Sequence, residues 1–233
     1  MEVRPAKGTN TLALIFKGGI IVAADSRTSN NGSVKKITEI NQYMLATMAE
    51  EVGANGQFWL RDLGSKCHKH DFANKRRISV AGALKLLSNI MLYSYHGGKG
   101  LTVQSMIAGW DEKGGAALYY VDSEGGLHEE NRFCVESGSQ CAYTVLEGQY
   151  RYNMSLAEAA ELARQAIYHS NSKFRNGATG AAGAAGASVY HVGPEGWKNL
   201  SGDDVGELGS QYLPVETTTK HEMADAVAFS REK

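Results

Sequence analysis

Cysteine is scarce in this 233-residue sequence: Cys67, Cys134 and Cys141 are the only three. An odd, widely spaced set is neither a disulfide framework nor a zinc-ligand pattern. It reads as buried reduced thiols in a cytosolic or nuclear protein. An excess of one charge is lacking too. Twenty-four Lys and Arg stand against 25 Asp and Glu, for a formal net charge of -1. Neither nucleic acid nor an acidic membrane surface is therefore expected as a partner. No apolar stretch approaches the length of a membrane span. The first seven residues, MEVRPAK, lack the apolar centre of a signal peptide. His68, His70 and His96 have no ligand spacing to acids or cysteines, so no metal and no cofactor is assigned.

What remains is an ordinary globular composition, 42% hydrophobic and 21% charged, in a length that suits one large domain or two small ones. The chain opens on two β-rich runs, Thr11 to Phe16 and Ile20 to Ala24, joined by the turn-forming Lys17-Gly18-Gly19. Both are nearly all apolar, which predicts a sheet covered on both faces. Tyr43 to Ala49 reads as another buried strand. From Gln57 to Asp71 the apolar spacing turns helical, through Phe58, Trp59, Leu63 and Cys67. Val80, Ala83, Leu84, Leu87, Ile90 and Met91 form a second helical stripe that stops near His96-Gly97-Gly98.

Three strand-like runs follow, Val103 to Trp110, Ala116 to Asp122 and Leu127 to Val135, with glycine-rich turns between them. A helix then starts at Ser155, where Glu158 completes a capping box and Leu156, Ala159, Ala160, Leu162, Ala163 and Ile167 supply a buried face. Ser188 to Val192 and Trp197 to Leu200 form a last hairpin. Residues 176–187, NGATGAAGAAGA, read as a flexible loop, and the polar tail from 213 to 233 as disordered. Strands, two helices, strands, one or two helices, strands: this order is not that of a parallel βαβ protein. It predicts one α+β domain of antiparallel sheets with helices outside.

The most chemically suggestive step is Gly8-Thr9, at the mouth of the first strand. Asp25-Ser26-Arg27 ends the second run, and Val34-Lys35-Lys36-Ile37 follows. A threonine with an acid and a lysine near it can form a nucleophile site. Cleavage of the Gly8–Thr9 bond leaves Thr9 with both a hydroxyl and a free amine, so that one residue holds nucleophile and base. Taken singly, each feature has an ordinary reading. Gly-Thr is a strand entrance, Asp-Ser-Arg a turn, Lys35-Lys36 a solvated pair, Met48 a core residue, and Ser137-Gly138-Ser139 a turn or helix cap.

Taken in order they resemble a known family. Gly8-Thr9, Val22 to Arg27, Val34-Lys35-Lys36, Phe58-Trp59, Ala108 to Asp111, Leu118 to Gly125, Ser137-Gly138-Ser139, Tyr190-His191-Val192 and Gly196-Trp197 match the β-type subunits of the proteasome core particle. Among these the match is to the type with chymotrypsin-like activity. The resemblance spans Gly8 to about Leu208. It implies the N-terminal-nucleophile hydrolase fold, a four-layer αββα sandwich of two antiparallel sheets. It implies a seven-membered β ring within a stacked barrel, with neighbouring β-type and α-type subunits as partners and unfolded polypeptides as substrates. Localisation to cytoplasm and nucleus follows, as does peptide-bond cleavage that does not itself use ATP. The domain plan is a propeptide of residues 1–8, a subunit domain of 9–212 and the tail.

The resemblance also assigns roles. Thr9 is the nucleophile, and its amine, with a reference pKa of about 8, shares the work of a base. Lys36 stands beside the hydroxyl, Asp25 pairs with and orients that lysine, and Ser137 with the Gly138 amide lies near the free amine. Gly8 leaves its carbonyl open to attack. Arg27, Thr28, Ser29, Met48 and Val52 fall at substrate-binding positions, and an apolar pocket favours large apolar side chains. Some positions depart from the family pattern. The stretch between Arg27 and Lys36 is short. Glu50 replaces the oxyanion glycine, and a backbone N–H serves there whatever the side chain. Asn176 replaces an acid, Thr179 a serine, and Asn10 interrupts a run of threonines. Two readings stay open: a threonine endopeptidase subunit that cuts after large apolar residues, and a structural ring subunit with a degenerate site.

Overall fold

The computed structural model describes residues 10–25, 36–48, 55–94, 104–122, 124–135, 139–172 and 187–200. Two five-stranded antiparallel sheets form the centre. The first contains β1 (Thr11–Phe16), β2 (Gly19–Asp25), β8 (Arg132–Val135), β9 (Ala187–Gly193) and β10 (Gly196–Asn199), in the order β10-β9-β2-β1-β8. The second contains β3 (Ile37–Asn41), β4 (Met44–Met48), β5 (Ser105–Asp111), β6 (Gly115–Val121) and β7 (Leu127–Glu129), in sequence order. Helices α1 (Asn55–Asn74) and α2 (Val80–Ser94) cover the second sheet; α3 (Ser139–Gln149) and α4 (Leu156–Ser172) cover the first.

Alternation along the strands builds three cores from these layers. Leu12, Leu14, Phe16, Ile21 and Ala23 point to one side and meet Leu146, Leu162, Ala163 and Ile167 of α3 and α4. Ala13, Ile20, Val22 and Ala24 point to the other side and meet Ile37, Leu45, Met106 and Leu118 of the opposing sheet. Met44, Ala46 and Ile107 face outward again, against Leu60, Leu63 and Cys67 of α1 and Val80, Leu84 and Leu87 of α2. This period-two sorting explains why β1 and β2 are apolar throughout: both of their faces are buried. The layer order is αββα, as the resemblance implies.

Local chemistry sets the helix boundaries. Ser155 and Glu158 form the expected capping box, with the Ser155 N–H donating to Glu158 Oε2 at 2.7 Å and the Glu158 N–H donating to Ser155 Oγ at 3.3 Å. The Asn74 side-chain amide donates to the His70 carbonyl, and Lys75 follows with φ 50°, a left-handed residue that ends α1. Ser79 Oγ accepts the Gly82 N–H, and Asp111 Oδ1 accepts the Val80 N–H, so α2 is capped from both its own segment and the end of β5.

The structure corrects the sequence reading in five places, the first being that Leu156, read as part of a buried helix face, and Phe58, read as part of an apolar stripe, are exposed. The single run Leu127 to Val135 is two strands in different sheets: β7 pairs with β6 and β8 with β1. The polar stretch Glu129-Glu130-Asn131 breaks the run, and the Asn131 carbonyl already accepts the Ile15 N–H at the start of the second pairing. β3 and α3 are elements that the periodicity reading did not assign. β3 is short, half exposed and bulged between Glu39 and Asn41, which blurs its alternation. α1 runs over Asn55–Asn74, longer than the apolar stripe from Gln57 to Asp71, because its exposed flank carries no periodic signal. Cys141 is partly exposed, whereas Cys67 and Cys134 are buried as expected. The segment at 176–186 and the tail lie outside the described residues.

Candidate functional site

The antiparallel registers bring many strand ends to one end of the sandwich. In the first sheet Thr11 pairs with Ala24 and Val135, and Asp25 with Ala187. The start of β1, the ends of β2 and β8 and the start of β9 therefore lie side by side. In the second sheet Ile37 pairs with Thr47, Met48 with Ser105, and Ser105 with Val121. The starts of β3 and β5 and the ends of β4 and β6 coincide in the same way.

One ion pair ties the two sets together. Asp25, the last residue of β2, is 2% exposed, and Lys36, just ahead of β3, is 7% exposed. Lys36 Nζ lies 4.0 Å from Asp25 Oδ2. β2 is the central strand of its sheet, and the Asp25 N–H donates to the Asn10 carbonyl at 3.0 Å, which holds the carboxylate in place from its backbone. Sequence reasoning assigned no part to Asn10 or Thr11 here, yet both are buried. It also missed Ser105, whose Oγ donates to the Thr47 carbonyl at 2.6 Å and fastens β4 to β5 at this end. Polar residues at the ends of apolar strands were the available signal.

Two opposite charges 4 Å apart attract by about 4 kcal/mol at an effective dielectric of 20. Desolvating both consumes most or all of that. The pair is thus a poor way to stabilise a fold and a good way to hold a cation where negative charge develops. Other candidates for the chemistry are weaker. Burial pushes the Cys67 thiol up to about 11 and the Cys134 thiol up to about 12, so neither is a thiolate nucleophile near neutral pH. Among the described residues no group of three or more His, Cys, Asp or Glu is placed to hold a metal ion. A cleft of about 230 Å³, lined by Arg76, Arg77, Asp111 and Lys113 among others, lies at the far end of β5 from Ser105 and is remote from the ion pair.

Of the residues singled out from sequence, the structure brings Asp25 and Lys36 together. Met48 is the last residue of β4, in register with Ser105. Gly8, Thr9, Arg27, Thr28, Ser29, Glu50, Val52, Ser137, Gly138, Asn176 and Thr179 lie outside the described residues. Each belongs to a chain segment that adjoins the strand ends just listed. Residues 1–9 precede the start of β1, 26–35 join Asp25 to Lys36, 49–54 follow β4, 136–138 follow β8, and 173–186 precede β9.

Comparison with known proteins points the same way. The proteasome subunit family profile matches residues 6–182. The chain is 59% identical over 228 residues to the proteasome subunit beta type-5-A of Arabidopsis thaliana, an overlap that spans 96% of this chain and 80% of that protein. It is 58% identical over 231 residues to the proteasome subunit beta type-5 of Spinacia oleracea, covering 97% and 81%. It is 40% identical over 217 residues to the human proteasome subunit beta type-8, covering 91% and 75%.

Proposed function

The chain belongs to the proteasome subunit family, and from that premise we propose that Thr9, freed at its nitrogen, is the nucleophile of a peptide-bond hydrolase. The protein is a β-ring subunit of the proteasome core particle and a threonine-type endopeptidase. The observation that supports this assignment of residues is the buried Lys36–Asp25 pair, set among the strand ends that adjoin every other candidate segment.

The chain is made as a precursor. The Thr9 hydroxyl attacks the Gly8 carbonyl, the Gly8–Thr9 amide breaks as the nitrogen leaves with the hydroxyl's proton to become the free amine, and water then hydrolyses the resulting Gly8 ester, which releases residues 1–8 with a Gly8 carboxylate and restores the Thr9 hydroxyl. In each later turnover the hydroxyl gives its proton to that amine and attacks the substrate carbonyl. Lys36 offers its positive charge to the forming alkoxide, and Asp25 keeps Lys36 in place. The Glu50 backbone N–H donates to the oxyanion. The leaving amine takes the proton, and water then splits the ester. Ser137, the Gly138 amide, Asn176 and Thr179 support the Thr9 amine. Arg27, Thr28 and Ser29 hold the substrate backbone, and Met48 and Val52 wall an apolar pocket that selects large apolar side chains before the cut. The subunit works between β-type neighbours and beneath an α-type ring, on unfolded polypeptides. Its compartments are the cytoplasm and nucleus, which its free cysteines suit.

Assembled particles given an apolar fluorogenic peptide test this reading. Thr9→Ala abolishes the turnover due to this subunit, and intact mass shows the chain starting at Thr9. Unchanged turnover rejects the nucleophile, and retention of residues 1–8 in mature particles favours a purely structural subunit. Glu50 and Asn176 give that second reading its footing.

A further inference from the structure

Two hydroxyl residues follow a pair of cations by two and three positions: Ser79, in Arg76-Arg77-Ile78-Ser79, and Thr38, in Lys35-Lys36-Ile37-Thr38. Serine and threonine kinases with acidic substrate grooves choose their targets by such charge patterns. In sequence the two sites are equivalent. The structure separates them.

Thr38 lies within β3, paired with Ala46, and Lys36 is buried against Asp25. Neither that residue nor its nearer cation can be handed to an enzyme without opening the sheet. Ser79 stands in the connector between α1 and α2, outside both helices, and is exposed, as is Arg76. Arg77 is half-buried. Its Nη2 donates to the Trp110 carbonyl at 3.1 Å, and its guanidinium carbon lies 3.7 Å from the centre of the Tyr43 ring. Ile78 is buried, and its N–H donates to Asp71. Presenting this segment in extended form therefore breaks the few contacts of one connector, a local opening rather than a global unfolding.

The surroundings suit a phosphoryl group. Ser79 lines the cleft of about 230 Å³ together with Arg76, Arg77, Asp111, Glu112 and Lys113. Three cations against two acids leave one positive charge in excess. Ser79 also caps α2, its Oγ accepting the Gly82 N–H at 3.1 Å. The N-terminus of a helix favours an anion, and a phosphoryl oxygen replaces the hydroxyl as acceptor there. A group carrying about −1.5 to −2 charge turns the lining of the cleft anionic.

We propose that Ser79 is a phosphorylation site for a serine kinase that reads Arg76 and Arg77, and that its modification reverses the charge of the cleft at the far end of β5. The Ser79 oxygen attacks the γ-phosphorus of a nucleoside triphosphate held by the kinase. The bond from that phosphorus to the bridging oxygen breaks, the nucleoside diphosphate leaves, and the hydroxyl proton passes to the kinase's base. None of this depends on the role of Thr9.

Assembled particles incubated with radiolabelled ATP and the catalytic subunit of an arginine-directed serine kinase test the proposal. A free peptide of residues 73–83 serves as the control that the kinase is competent. Label is expected on this chain, and fragment masses place it on Ser79. Ser79→Asn keeps a capping oxygen and removes the label. Arg76→Gln, an exposed change remote from the Lys36–Asp25 pair, lowers the initial labelling rate at least about tenfold, the loss expected for one charge-assisted contact to the kinase. Before kinase treatment both variants cleave an apolar peptide at the wild-type rate. Absence of label on Ser79 in the assembled particle overturns the proposal. So does undiminished labelling in Ser79→Asn or in Arg76→Gln.

Discussion

The two ends of the sandwich are built by different means. The far end is closed by tight turns whose residues are neighbours in sequence. Gly19 (φ 134°) and Gly196 (φ 96°) turn the β1–β2 and β9–β10 hairpins. The Trp197 N–H donates to the Gln42 carbonyl, and His191 Nε2 lies 2.9 Å from the Gly18 carbonyl, so adjacent turns brace one another. At the site end, residues remote in sequence are gathered by sheet register, and the chemistry is a buried ion pair. Local conformation holds one end and long-range pairing the other. The second arrangement tolerates far less change in charge.

Removing one charge should break the comparison hardest. Lys36→Met leaves the Asp25 carboxylate buried beside an apolar side chain, at a cost of about 3–5 kcal/mol by urea unfolding. Lys66→Ala removes the 2.6 Å contact to Asp62 on the surface of α1 and costs about 0.5 kcal/mol or less. Equal costs for the two would contradict the burial argument.

The far end should answer to backbone geometry instead. A Cβ at Gly19 runs into the Val192 carbonyl oxygen, on a φ that other residues rarely adopt. Gly19→Ala is expected to cost about 1–3 kcal/mol while leaving catalysis intact. A loss of turnover with unchanged stability in this variant would mean that the two ends are coupled.

The smallest expected effect lies on α4, away from both ends. Ser155→Ala removes half of the capping box and costs about 1 kcal/mol. The Ser155 N–H and hydroxyl hold the Glu158 carboxyl below its usual range. A lowered folded-state pKa gives stability that is present above the unfolded value and lost as pH falls through the folded one. The difference between wild type and Glu158→Gln in thermal unfolding should therefore shrink toward zero on acidification. A difference that grows in acid would refute the assigned sign.

Legibility followed the range of the interactions. The capping box at Ser155, the β1–β2 hairpin and the helical stripe of α2 are local patterns, and each formed where periodicity or turn chemistry placed it. The run Leu127 to Val135 kept its strand character but was divided between sheets, because pairing partners are chosen in three dimensions. β3 escaped notice because a five-residue edge strand with one bulge has almost no period to read. Asp25 and Lys36 were legible as a pair only through family resemblance, since eleven positions of chain say nothing of a 4.0 Å approach.

By itself, then, the order of residues determined the alternating faces of the strands, the glycine turns and the helix start at Ser155, because those depend on side chains a few positions apart. Only the tertiary structure decided which sheet each strand joins, that the strand ends gather at one end, and that Lys36 meets Asp25 out of water. Those outcomes come from burying three apolar layers at once, and no window of neighbouring residues contains that constraint.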